Sequence, residues 1–170
     1  MCVNQVAADR VPSGEVARAD EIERLYRNGF HRYLRVAEAI TGSPESGLDA
    51  VQEGFARALL YLEDFRGDSR LSTWVWTCVI NAAKAARPRR ELGLVDKATD
   101  KAGAENRPSP ALRGLIASLP ERQRLALFLR YYADLDYRTI AAVLHVRVGT
   151  VGATLNKAHT TLRRHLKEVS

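Results

Sequence analysis

The feature that most constrains this chain is the spacing of its apolar residues. They recur every three to four positions, and nothing alternates with period two over any useful length. That spacing lays a stripe along one face of a helix, whereas a half-buried strand needs strict alternation. The expected fold is therefore all-α. Prolines and glycines break the pattern in two. Pro88, Pro108 and Pro110, with Gly93 and Gly103, bracket a polar stretch of weak periodicity that reads as a flexible linker. The expected organisation is a disordered N-terminus over 1–19, a small helical domain over 20–90, a linker over 91–110 and a second small helical domain over 111–170.

The first block predicts three helices. Ile22, Leu25, Tyr26, Phe30, Tyr33, Leu34, Ala37 and Ile40 form one stripe, which Thr41-Gly42-Ser43-Pro44 stops. Ser46 and Asp49 resemble the start of a second helix, with Ser46 as the cap. Its inward stripe is expected to be Leu48, Val51, Phe55, Ala58, Leu59 and Leu62, leaving Asp49, Gln52, Glu53 and Arg57 outside. A polar loop, Phe65 to Ser69, precedes a third helix with Leu71, Trp74, Val75, Cys78, Val79 and Ala82 inward. Trp76 falls off that stripe and is expected to be exposed.

Charge separates the two blocks. The net charge is +6, from 26 Lys and Arg against 20 Asp and Glu. Residues 20–87 carry nine basic and ten acidic side chains, and residues 111–170 carry ten basic and four acidic. A basic module beside a near-neutral one implies different partners, one of them a polyanion. Other classes are disfavoured. No apolar run is long enough to span a bilayer, and residues 1–19 lack the pattern of a secretory signal. Cys2 and Cys78 make neither a disulfide framework nor a zinc site, and free thiols in a reducing cytosol are expected. His31, His145, His159 and His165 are scattered, with no paired carboxylates, phosphate loop or nucleophile–base set, so catalysis, a metal and a cofactor are not expected.

In the second block, Leu112 to Leu119 predicts a short helix ended by Pro120, and Leu125 to Tyr132 the next. Tyr137–Leu144 and a helix from about Val148 then flank a break of three residues. This is helix-turn-helix spacing, with Ala141 small enough for a close crossing and Ile140, Leu144, Val151 and Leu155 packing it. The turn needs a residue tolerant of positive φ, and His145 is the candidate. The N–H groups of Gly149, Thr150 and Val151 suit a phosphate. An ordinary helical hairpin stays open as the alternative. The basic set Arg122, Arg124, Arg130, Arg138, Arg147, Lys157, Arg163, Arg164 and Lys167 favours DNA as a group, although for each charge alone a solvated face is the safer reading.

Leu119-Pro120-Glu121-Arg122-Gln123-Arg124, Leu129-Arg130-Tyr131-Tyr132, Ile140-Ala141, Gly149-Thr150-Val151 and the closing Ala158 and Leu162-Arg163 resemble region 4 of sigma-70-family factors. Leu25-Tyr26, Thr41-Gly42, Asp49 to Phe55, Phe65 to Ser69, Thr73-Trp74 and Asn81 resemble region 2, in order. The chain as a whole resembles the small two-domain extracytoplasmic-function (group IV) sigma factors of RNA polymerase.

That resemblance implies a promoter-specificity subunit without catalysis of its own, acting in the cytoplasm. Region 2 would bind the β′ clamp helices and open the −10 element, and region 4 would bind the β flap and read the −35 element. Asp49, Gln52, Glu53 and Arg57 become the core-polymerase face, although a plain solvated helix face is the alternative. Phe65, Arg66, Asp68, Ser69, Trp76 and Asn81 become the −10 surface. Arg147, Gly149, Thr150, Gly152, Ala153, Asn156 and Lys157 become the −35 surface. Two departures stand out. Gly152 and Ala153 occupy positions that often carry readers of bases or phosphates, and Leu48 replaces a position that is often acidic. Control by an anti-sigma factor is a further implication of the resemblance. The competing functional reading is a helix-turn-helix regulator that binds duplex DNA without core polymerase, which would have no need of the Asp49-Gln52-Glu53 face or the Phe65–Ser69 loop.

Overall fold

The computed structural model describes residues 13–87 and 110–169. Residues 1–12, Cys2 among them, residues 88–109, which hold all of the expected linker 91–110 except Pro110, and Ser170 lie outside the described residues. Among the described residues the chain forms seven α-helices and one 3-10 turn, with no strand.

The N-terminal bundle is α1 (Ser13–Thr41), α2 (Pro44–Leu60), the 3-10 turn (Leu62–Asp64) and α3 (Leu71–Ala86). Helix α1 begins earlier than the apolar stripe predicts, so residues 13–19 are helix and not disordered terminus. Two contacts account for this: Ala19 packs on the core, and the Arg18 guanidinium lies 5.8 Å from the Phe65 ring centroid. Gly42, at φ +82, ends α1, and its N–H donates to the Glu38 carbonyl at 2.8 Å.

Ser43, not Ser46, caps α2. Its hydroxyl accepts from the Ser46 N–H at 3.4 Å. Pro44 fits the next position, where a missing N–H costs nothing and φ is preset. The inward face of α2 is Gly47, Ala50, Val51, Gly54, Phe55 and Ala58. Leu48 and Leu59, expected inside, are 38% and 47% exposed. Close helix approach explains the exchange. A Cβ on Gly54 would sit 2.5 Å from the Val79 Cα, and one on Gly47 2.8 Å from the Glu38 backbone nitrogen. At that separation only small residues fit between the backbones, and the leucines are turned outward.

Helix α3 also presents a different face from the one its stripe suggested. Trp76, expected to be exposed and part of the −10 surface, is 3% exposed and stacks on Tyr33 at 4.1 Å between ring centroids. The helix packs against both α1 and α2, so its buried sector is wide enough to include Trp76 and Ile80 as well as Val75 and Val79. Burial pushes the Tyr33 phenol pKa upward, only partly offset by the Arg32 charge. Cys78 is half-buried, and burial raises its thiol to about 11, so it is a poor nucleophile at neutral pH.

The C-terminal module is α4 (Pro110–Ser118), α5 (Glu121–Tyr131), α6 (Tyr137–Val143) and α7 (Val148–Val169). Helices α5 and α6 pack on α7 through Val151, Leu155 and Ala158. Two arginines of the basic set serve the fold. Arg124 is 9% exposed and donates to the Ala117 and Leu119 carbonyls at 2.9 and 3.2 Å, closing the end of α4. Arg130 donates to the Leu135 carbonyl at 3.1 Å. Asp136 caps α6 by accepting from the Thr139 N–H at 2.7 Å, which lowers its carboxyl pKa. His145 takes the positive φ expected of the turn, at +53. Asp134 does the same at +52, without a sequence signal that singled it out.

Candidate nucleic-acid and polymerase interfaces

Three surfaces carry the candidate residues. On α2, Asp49, Gln52, Glu53 and Arg57 are all exposed and lie on the side away from Val51 and Phe55. Arg57 pairs with Glu53 one turn back, Nε to Oε1 at 2.5 Å. Asp49 has no ion-pair partner among the described residues, so it is the carboxylate most available to a basic partner. Leu48 sits exposed at the edge of this face, with Leu60 (73% exposed) and Tyr61 at its far end. The face is thus acidic with apolar flanks, a combination suited to a protein surface more than to a phosphate backbone.

The loop after the 3-10 turn presents Arg66, Asp68 and Ser69 to solvent, and Gly67 turns it at φ +78. Phe65 is half-buried, with the Trp74 ring 5.9 Å away in a tilted arrangement. The indole beside the loop is therefore Trp74, half-buried, in place of the expected Trp76. Asn81 is exposed on α3 and borders a cleft of about 350 Å³, whose walls include Thr77 and Ile80 on one side and Arg122, Leu144 and His145 on the other. The structure thus brings Asn81 opposite the helix-turn-helix turn. The two walls of this cleft are 37 or more positions apart in the chain, and no local pattern in the sequence announced it.

On α7 the outward ridge is Gly149, Thr150, Ala153, Asn156, Lys157 and Thr160, with Arg147 exposed just ahead of it. Gly152 is partly covered by the Tyr137 ring. Several hydrogen-bonding groups on this helix are already committed. Thr154 donates its hydroxyl to the Thr150 carbonyl at 2.7 Å, and Thr160 to the Asn156 carbonyl at 2.9 Å. The Thr150 N–H, expected to be free for a phosphate, donates to the Arg147 carbonyl at 2.9 Å. That leaves the Thr150 hydroxyl, the Asn156 amide and the Lys157 ammonium as the polar heads of the ridge. Nearby, the Tyr131 hydroxyl and His159 Nε2 share a hydrogen bond of 3.0 Å.

The two halves, in this order, match two parts of one family. Residues 25–91 match Sigma-70 region 2, and residues 110–162 match Sigma-70, region 4. The chain belongs to the sigma-70 family. It is 28% identical to the RNA polymerase sigma-H factor of Pseudomonas aeruginosa, across 96% of this chain and 94% of that protein. It is 29% identical to the ECF RNA polymerase sigma-E factor of Escherichia coli K12, across 94% and 92%. Among solved structures it resembles CnrH in complex with the cytosolic domain of CnrY (TM-score 0.70, 19% identity, 92% of this chain and 96% of that one). It also resembles the sigma factor RpoE from Bartonella quintana, solved with the anti-sigma factor NepR (TM-score 0.69, 17% identity, 87% and 98%). This sigma factor of the extracytoplasmic-function type is a promoter-specificity subunit of RNA polymerase. No helix among its described residues is long and apolar enough to cross a membrane.

Proposed function

We propose that the three surfaces divide promoter recognition among them. Asp49, Gln52 and Glu53, with Arg57 holding Glu53, dock on the β′ clamp helices of core polymerase. The Phe65–Ser69 loop and Asn81 hold the unpaired −10 strand, with Trp74 supporting the loop. The α7 ridge enters the major groove at the −35 element, where the Asn156 amide suits an adenine edge and Arg147 and Lys157 suit phosphates. Region 4 also meets the β flap. The chain contributes binding free energy and no chemistry of its own, and it works in the cytoplasm with the polymerase. An anti-sigma factor restrains it, as suggested by the solved relative held by NepR.

The observation that carries this reading is the acidic α2 face on a bundle that also bears the polar loop. A duplex-DNA regulator has no use for an acidic surface, which repels phosphate. Replacing Asp49 and Glu53 by Lys tests it. The affinity of the full chain for core polymerase should fall at least tenfold, while its affinity for duplex DNA stays the same or rises. Unchanged core affinity contradicts the assignment of this face.

A further inference from the structure

The loop that follows the 3-10 turn is held to the bundle by one side chain. From Glu63 to Arg70 every residue is exposed except Phe65, which packs against the edge of the core. Hydrogen bonds add little. The Phe65 N–H donates to the Leu62 carbonyl at 3.1 Å, and beyond it Gly67 turns the chain at φ +78. Within the loop, the Ser69 hydroxyl reaches the Arg70 carbonyl only at 3.5 Å. Whatever grips the Phe65 ring therefore sets where Arg66, Asp68 and Ser69 stand.

Two groups grip it. From α3, the Trp74 ring lies 5.9 Å away, and its indole Nε1 donates to the Ala58 carbonyl of α2 at 3.5 Å. From α1, the Arg18 guanidinium lies 5.8 Å from the Phe65 ring centroid, within the range of cation–π attraction. Arg18 is exposed and makes no ion pair or hydrogen bond among the described residues, so the ring is its one engagement. The first turns of α1 place it there. Ala19 and Ile22 fasten those turns to the core, and α1 packs directly on the 3-10 turn.

We propose that Arg18 is a positioning residue for −10 recognition. Its guanidinium holds the Phe65 ring beside Trp74 and so keeps the loop in the shape that receives an unpaired base. The proposal deepens the −10 assignment above and rests on it. Arg18 acts through Phe65 and does not touch the strand. A loop that is already ordered loses less conformational freedom when the base arrives, so the brace tightens binding without adding a contact to DNA. The competing role is a direct bond from Arg18 to a strand phosphate. The two roles differ measurably, because a phosphate bond needs no ring at position 65 and the brace does.

The chain holds two tryptophans and Trp76 is buried, so acrylamide quenching of the fluorescence of the full-length chain reads Trp74. Arg18→Gln should raise the quenching. Arg18→Lys, which keeps a cation over the ring, should restore most of the parent value. Lys and Gln are close to Arg in helix propensity, so this pair separates charge from helix formation, and equal helix content by circular dichroism checks it. Binding of the chain, in complex with core polymerase, to single-stranded DNA of randomised sequence reads the function. Arg18→Gln should weaken it about threefold, the size expected of an exposed cation–π contact, with the slope of log affinity against log salt unchanged. In a Phe65→Leu background the same substitution should have no further effect. Unchanged quenching in Arg18→Gln overturns the brace. A loss of affinity that persists in the Phe65→Leu background, with a slope reduced by about 0.7, overturns positioning in favour of a direct phosphate bond. Altered quenching with unchanged single-strand affinity overturns the part of Arg18 in recognition. The −10 assignment fails separately, because Asp68→Ala and Ser69→Ala would then leave single-strand affinity unchanged as well, while quenching, which needs no DNA, would still report the brace.

Discussion

Gly54 sets the distance between α2 and α3. A methyl group there would meet the Val79 Cα at 2.5 Å, so backbone must move to admit it. Gly54→Ala should cost about 1–3 kcal/mol despite the better helix propensity of alanine, as read by urea denaturation. Trp76 is the second residue on which the account turns. Its ring is stacked on Tyr33 inside the bundle, so Trp76→Ala should cost about 3–5 kcal/mol and abolish binding only by unfolding the bundle. A folded Trp76→Ala protein with a specific −10 defect would contradict that. The sequence did not disclose either fact. Periodicity ranks side chains by apolarity, so it put Leu48 and Leu59 inside and overlooked Gly47 and Gly54, which face the core because they are small. Arg124 was hidden for the opposite reason. It counts as surface charge in a sequence, and only the orphan carbonyls of Ala117 and Leu119 reveal its place in the core.

At the scale of elements, the C-terminal module was largely legible. Prolines mark the starts of α4 and α5, the break at His145 marks the turn, and of the expected stripe Val151, Leu155, Ala158, Leu162 and Leu166 the first three are buried, Leu162 is half-buried and Leu166 is 46% exposed beyond the module's core. The start of α1 was not, because residues 13–19 offer only Val16, Ala17 and Ala19 to a periodicity argument. Helix α6 has only seven residues and leans on its cap. The Thr139 N–H holds the Asp136 carboxyl below its usual pKa, so its stabilisation is present above pH 3.8 and is lost as the pH falls through the lowered value. Asp136→Ala should lower the melting temperature at neutral pH, and the gap from the parent should shrink below pH 3.8. On α7, the polar heads left for DNA are few, so two substitutions separate their roles. Lys157→Ala should weaken duplex binding uniformly and reduce the slope of log affinity against log salt by about 1. Asn156→Ala should instead lower discrimination at one base pair, by about 1–3 kcal/mol, in competition binding with promoter variants.

For the whole molecule, the charge division and the order of the two regions are both legible in the sequence. The basic surplus lies wholly in residues 111–170, and the two regions of the sigma-70 family follow each other there and in residues 25–91. The contact between the bundles was not readable, because Lys84 and Glu121, or Arg32 and Ala133, are joined by tertiary geometry and by no local pattern. The fold also changes what the charge means. Arg124, one of the basic set, is engaged in the fold, and the outward ridge of α7 between Val148 and Ala158 holds one charge, Lys157. On the proposed division of surfaces, the surplus is better placed to hold phosphates than to read bases. The most direct test of the central claim is transcription in vitro from a pool of promoter fragments with purified core polymerase and this protein. The account predicts transcripts that start at defined positions, depend on the protein and disappear when Asp49 and Glu53 become Lys. Core polymerase that gives the same transcripts with and without the protein, while the protein still binds duplex DNA, would contradict it.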